Sequence, residues 1–225
     1  MFVTKKETTI LEQQVKELMA VEFGKVPKME NFHTSDWFNE NYYKRHILEC
    51  LLRIHMNNEM DSRAVAIATQ SNTALAKMLS YYVYDELGHD EMFARDLDQY
   101  GYTATDIQLS SVFSSTMKLM GYLNFVVEKE GPMVAVVWDW FLEFYGDEYN
   151  PFITEKAAAN MGQAKVDGAA AHVAFDEEED HSGMMTDMLG TCIKNDADFI
   201  KAQKYLSVLI PLVGEYFNEL QREVL

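Results

Sequence analysis

Apolar residues recur along this chain with the period of helices, and no segment alternates with the period of a strand. Thr9-Ile-Leu-Glu12 has the form of a capping box and predicts a helix to about Phe23, stopped by Gly24 and Pro27. Ser35 or Asp36 caps a second helix from Trp37 to about Met56, with Tyr42, Tyr43, Ile47, Leu51 and Ile54 at helical spacing. Asn57-Asn58 breaks that pattern, and a short helix from about Ser62 to Gln70 follows. Thr73 to Tyr100 reads as one long helix ended by Gly101, with loop from Tyr102 to Leu109. Ser110 or Ser111 starts the next helix, which lasts to about Lys129, and Pro132 opens another that Gly146 ends. That helix is apolar nearly all round, from Val134 to Phe144, and belongs at the centre of the core. Asn150-Pro151 starts a further helix, interrupted at Gly162 and Asp167-Gly168. Ala169 to Leu189 and about Asn195 to Leu225, kinked at Pro211, complete the pattern. The expectation is all-α: a helical bundle of about seven or eight helices in a single domain over residues 1–225.

Composition narrows the class. The 225 residues suffice for one sizeable core, and 48% of them are apolar, so the chain is globular rather than disordered. No apolar run reaches the length of a membrane span. The N-terminus lacks the order of a signal peptide, and two cysteines make no disulfide framework, so the expected compartment is the cytoplasm. A formal charge of −17 argues against nucleic acid and anionic membranes as partners.

Three groups of residues change the picture from bundle to chemistry. Glu86 and His89 stand three apart on a predicted helix, so they share a face. Helix bundles use a Glu-x-x-His unit of this kind to bind paired metal ions. Glu143 is a carboxylate on a very apolar helix, costly to bury unless it is paired or bound to metal. Asp176-Glu-Glu-Glu-Asp-His181 is a second acid and histidine cluster, preceded by His172. Its register is open. His181 pairs with Glu177 or Glu178 a turn earlier, and His172 with Asp176. In a regular helix His172 and His181 point apart, and one π-bulge between Asp176 and His181 would bring His172, Asp176 and His181 together. Carboxylates with imidazoles suit Fe(II), with Mn(II) as the alternative.

Two resemblances follow from these residues. A ferritin-like di-iron pattern would use Glu49, Glu86 with His89, Glu143, and Glu178 with His181. A wider resemblance, over roughly residues 37–190, is to the heme-oxygenase-like di-iron oxidases. It rests on Glu86-Leu-Gly-His89 with Asp96-Leu…Gly101, on Gly121-Tyr-Leu-Asn-Phe, Glu130-Gly-Pro132 and Leu142-Glu143, and on His172…Asp176…His181. The gap between Asp176 and His181 is longer than that family's usual pattern, which keeps Glu177 and Glu178 as substitutes. The resemblance implies a heme-oxygenase-like fold and six metal ligands: Glu86, His89, Glu143, His172, Asp176 and His181, with Glu143 as a bridge. It implies two Fe(II) ions and O2 as co-substrate, acting on a small organic molecule such as an amino acid, an amine or a fatty acid. N-oxygenation, desaturation, C–C cleavage and oxidative rearrangement, in a biosynthetic pathway, are the reaction types it covers. An electron donor and a homodimer are compatible with it. Tyr81, Tyr82, Trp138, Trp140 and Phe175 are candidate pocket walls, and His46, Arg45 and Lys118 candidate holders of a substrate carboxylate. The alternatives are a ferritin-like oxidase or iron store and a metal-free acidic interaction protein.

Overall fold

Side-chain caps start several of the helices. Asn39, Asn72 and Asn195 each accept a hydrogen bond from an amide in the first turn that follows, and Thr103 forms a full capping box with Asp106. The computed structural model describes residues 5–225, which form eleven α-helices, a short 3-10 turn and no strand. They are α1 (Lys5–Lys25), α2 (Pro27–Thr34), α3 (Glu40–Ala68), α4 (Thr73–Glu86), α5 (His89–Gln99), α6 (Ala104–Leu109), α7 (Ser114–Glu130), α8 (Met133–Met161), α9 (Asp167–Glu178), α10 (His181–Cys192) and α11 (Asp196–Val224). None of them is long and apolar enough to cross a membrane.

The expected all-α class holds, but the breaks fall elsewhere. Thr9 lies inside α1 instead of capping it, and Pro27 opens α2 as well as ending α1. The expected loop after Tyr102 contains α6. α3 runs straight through Asn57-Asn58, because the Asn57 side chain turns inward to partners on α8 instead of competing for its own backbone. α8 runs through Gly146 and Pro151, and α11 through Pro211. Conversely, two helices expected to be continuous are split. Gly88 takes φ +104, a conformation that suits glycine, and separates α4 from α5. Asp180 takes φ 51, and its carboxylate caps the amide of Gly183, so α10 starts afresh. These two breaks raise the helix count and frame the site.

α8 is the central helix. Val134, Ala135, Val136, Val137, Trp138, Trp140 and Phe141 are all buried, against α3, α7, α9, α10 and α11. At about 1.5–3 kcal/mol for each large apolar side chain buried, such a helix tolerates the two acids it also buries, Asp139 and Glu143.

α5 and α9 are locked together at one point. Asp96, buried in α5, accepts hydrogen bonds from the amides of Gly168 and Ala169, both at 2.8 Å, and so satisfies the start of α9. Gly168 approaches so closely that a Cβ there would lie 1.9 Å from the carbonyl oxygen of Met92. Gly168→Ala is therefore expected to push α9 off α5 at a cost of about 2 kcal/mol, lowering Tm by roughly 4–8 °C. Asp96→Ala should cost about as much by orphaning the two amides. Thermal melts followed by circular dichroism check both, and unchanged Tm values would contradict this account of the joint.

Candidate metal centre

The two helix breaks put Glu86 and His181 at helix ends facing each other. Glu86 closes α4, His89 opens α5, and Gly88 turns the chain between them. The pair therefore does not sit on one continuous helix, as its spacing predicts. It is nonetheless close, with Glu86 Oε2 and His89 Nδ1 3.0 Å apart. α9 supplies His172 and Asp176 one turn apart, 2.8 Å between Nδ1 and Oδ2. α10 supplies His181 from its first residue, and α8 supplies Glu143. The left-handed turn at Asp180, rather than a π-bulge, brings His172, Asp176 and His181 together. His181 Nδ1 lies 3.5 Å from Glu86 Oε1, 3.5 Å from Asp176 Oδ1 and 3.8 Å from Glu143 Oε1.

Two sets of donor atoms converge here, each within 4.8 Å: Glu86 with His89 and His172, and Glu86 with Glu143 and His181. Glu86 belongs to both. Both ring nitrogens of His89, both of His181 and Oδ1 of Asp176 are buried without a hydrogen-bond partner. Buried polar atoms are normally paired, so five orphans at one spot, close together yet misaligned for hydrogen bonds, suit a cation between them. The first set is two histidines and one carboxylate, the donor set that suits non-heme Fe(II).

Without a metal the site balances its charges internally. Burial pushes Glu143 up to about 8, helped by the charges of Asp176 and Glu86 and opposed by His181 and by the Tyr82 hydroxyl, which donates to Glu143 Oε1 at 2.9 Å. Burial draws His181 down, but Asp176, Glu143 and Glu86 outweigh it and hold the imidazole at about 9. Burial alone would raise Asp176, and its two histidine neighbours instead bring it to about 2. His172 is raised because Asp176 outweighs its burial.

A second buried polar network backs the site. Trp138 Nε1 donates to Asn57 Oδ1 at 2.7 Å, and Asn57 Nδ2 donates to Asp61 at 3.1 Å and to Asp139 at 3.3 Å. Burial drives both of these carboxyls upward, and each raises with the nearby charge of Glu86, so the pair retains a proton. Sequence reading missed Asn57, Asp61 and Asp139. Asp139 carries the same signal as Glu143, an acid on an apolar helix, whereas Asn57 looks like a helix breaker.

The remaining candidates separate clearly. Glu49 is fully buried, but it accepts from Arg45, the Phe113 amide and the Thr116 hydroxyl and stands outside the cluster, which removes the fourth position of a ferritin-like set. Glu178 is exposed, and the side chain of Glu177 lies outside the described residues. Tyr81 is 53% exposed and stands outside the cavity next to the cluster. Phe175 packs edge-on against the rings of His89 and His181, and Trp140 stacks on Phe144 away from the cavity. Arg45 is tied to Glu49, and Lys118 to Glu215 on the surface. His46 is held by the Tyr216 hydroxyl and stays neutral because burial lowers its pKa. A cavity of about 140 Å³ opens onto Glu86, Glu143, His172 and Asp176, with Tyr82 and Trp138 in its wall.

No family model matches the chain, and no curated protein does. Solved structures do. One is a domain of unknown function with a heme oxygenase-like fold from Shewanella denitrificans, 15% identical, with a TM-score of 0.83 over 99% of this chain and 94% of that one. Another is a TenA homolog from Pseudomonas syringae pv. tomato, 9% identical, with a TM-score of 0.71 over 93% of this chain and 92% of that one. The chain has a heme-oxygenase-like fold.

Proposed function

We propose that the cluster is a di-iron centre and that the protein is an O2-dependent oxidoreductase acting on a small organic molecule. The observation that carries the reading is Glu86, shared by two convergent donor sets whose histidine nitrogens include buried atoms with no partner. His89 and His172 would hold one iron, Glu143 and His181 the other, with Glu86 between them and Asp176 available to both. When bound, two ferrous ions supply the electrons and the open coordination positions that activate O2. Asp176 orients the imidazole of His172 by accepting from it, as carboxylates next to ligating histidines do. Tyr82 orients Glu143 and carries a proton at its hydroxyl beside that carboxylate. The apolar walls of the cavity limit water around the reacting groups.

Rapid mixing of Fe(II)-loaded protein with O2 tests the reading. An absorption transient whose decay speeds up with added organic substrate is expected. Steady accumulation of ferric iron well beyond two per chain would instead mark an iron store.

The charge balance sets a pH dependence. In the metal-free protein Glu143, at about 8, and His181, at about 9, both hold protons at neutral pH. A metal takes both deprotonated, so loading releases protons. Fe(II) affinity should rise from about pH 6 to about pH 9, by up to roughly tenfold per pH unit for each proton released. Anaerobic titrations with a pH indicator measure both quantities. An affinity flat across that range, without proton release, would contradict these assignments.

A further inference from the structure

α3 lays a stripe of polar residues along the cavity. His46, Cys50, Arg53 and Asn57 follow one another at steps of four, three and four residues and all line it. That spacing keeps them on one face over about 16 Å of helix. Three of the four are neutral and accounted for. His46 is bonded to Tyr216, Asn57 to Trp138 and its acid neighbours, and burial raises the Cys50 thiol, so it stays protonated.

Arg53 is different. Among the described residues no carboxylate lies within ion-pair distance of its guanidinium. Its contacts are the Cys50 sulfur at 3.4 Å and the face of the Tyr216 ring, 5.1 Å to the centroid. The acid nearest to it in sequence, Glu49, is spent on Arg45, Phe113 and Thr116. The buried charge of Glu49 reaches Arg53 through space, but among the described residues no carboxylate accepts a hydrogen bond from its guanidinium, so the fork is open to an anionic ligand.

We infer that Arg53 anchors the carboxylate of the substrate, and that the substrate is a small monocarboxylate with an apolar body. This rests on the reading of the cavity as the chamber of the di-iron site. Among the described residues Arg53 is the sole lysine or arginine lining the cavity, which fits one planar carboxylate and not a phosphate dianion. The acids that line it, Glu86, Glu143 and Asp176, all belong to the metal cluster. Among the described residues none is left over to receive a substrate ammonium, which favours a monocarboxylate over an amino acid. Phe93, Phe141, Leu142, Val213 and Phe217 supply the apolar wall. The volume, about 140 Å³, is close to that of an engineered cavity that accepts benzene. A molecule held at Arg53 presents its apolar body toward Glu86 and Glu143.

The test is binding, not turnover. Hexanoate, octanoate and 3-phenylpropanoate are compared with the matching alcohols by calorimetry and by Trp138 fluorescence. Both chelator-treated protein and anaerobic Fe(II)-loaded protein are used. At least one acid should bind wild type roughly tenfold tighter than its alcohol, and Arg53→Gln should remove about that factor while alcohol affinity stays within roughly threefold. Arg53→Lys, which keeps the charge and loses the fork, should fall between the two. The comparison of acid with alcohol on wild type stands even if the glutamine variant fails to fold. No acid binding, no preference for acid over alcohol, or full acid affinity in folded Arg53→Gln would overturn the inference. Iron stoichiometry is read separately. Arg53-dependent acid binding by a protein that takes up no iron would keep the anchor and remove the di-iron reading. Full iron loading with acid binding indifferent to Arg53 would do the reverse.

Discussion

Glu86→Ala is expected to take bound Fe(II) from two per chain to near zero and to abolish O2-dependent activity. The reason is that Glu86 is common to both donor sets, so its loss leaves each iron with too few donors. The other ligands make the prediction sharper. His89→Ala removes a donor from one set alone, and His181→Ala from the other. Each of these should leave roughly one iron per chain, bound more weakly by a factor of at least about 10–100 where shared contacts are lost. Metal analysis after anaerobic loading distinguishes the three variants. Equal retention of iron by Glu86→Ala and His89→Ala would contradict a shared carboxylate and place the bridge elsewhere.

Much of this arrangement is legible in the chain itself. The helical period and the apolar run on α8 announce the helices and the centre of the core, while the caps named from sequence, Thr9 and Ser35 or Asp36, give way to others such as Asn39. Glu86 with His89, Glu143 and the Asp176–His181 run stand out as acids and histidines on apolar or mutually repelling segments, and the full set of six follows from the family resemblance. The points where the helices break are less legible. Nothing local distinguishes Asn57, which sits mid-helix, from Asp180, which turns left-handed, since both residue types favour turns. Asn57 is held in the helix by partners 81 and 82 residues away, Trp138 and Asp139. Glu49 resembles a ligand by position in the chain, and only the contacts of Arg45, Phe113 and Thr116 turn it into a structural acid. Arg53 is invisible for the opposite reason. Its meaning lies in the absence, among the described residues, of a carboxylate paired with it, which no pattern of spacing reports.

The second large effect concerns α9 and α10. Asp176 to Asp180 place five acids in succession across the end of α9 and the turn that follows, where their mutual repulsion weakens the segment. Glu86, Glu143 and Asp176 add a buried cluster of carboxylates, countered in the metal-free protein by the protonated His181 and the raised His172. The turn at Asp180 must hold its left-handed conformation to keep His181 inside. On the proposed reading, metal binding would replace proton-mediated pairing with direct ligation of residues from α9 and α10, linking folding of the segment to metal affinity. Residues 167–183 are expected to exchange amide hydrogens at least about tenfold more slowly with Fe(II) than without it, a difference of roughly 1.4 kcal/mol or more. α11, packed on α1 and α7, should change little. Equally strong protection of 167–183 in both states would show that the segment is preformed.

Glu86, His89, Glu143, His172, Asp176 and His181 are together expected to bind two iron ions. Anaerobic titration of the metal-free chain with Fe(II), read by calorimetry and checked by metal analysis after desalting, tests it most directly. The account predicts saturation at two irons per chain, with His89→Ala and His181→Ala each saturating near one. A correctly folded wild-type protein that binds no iron would contradict it.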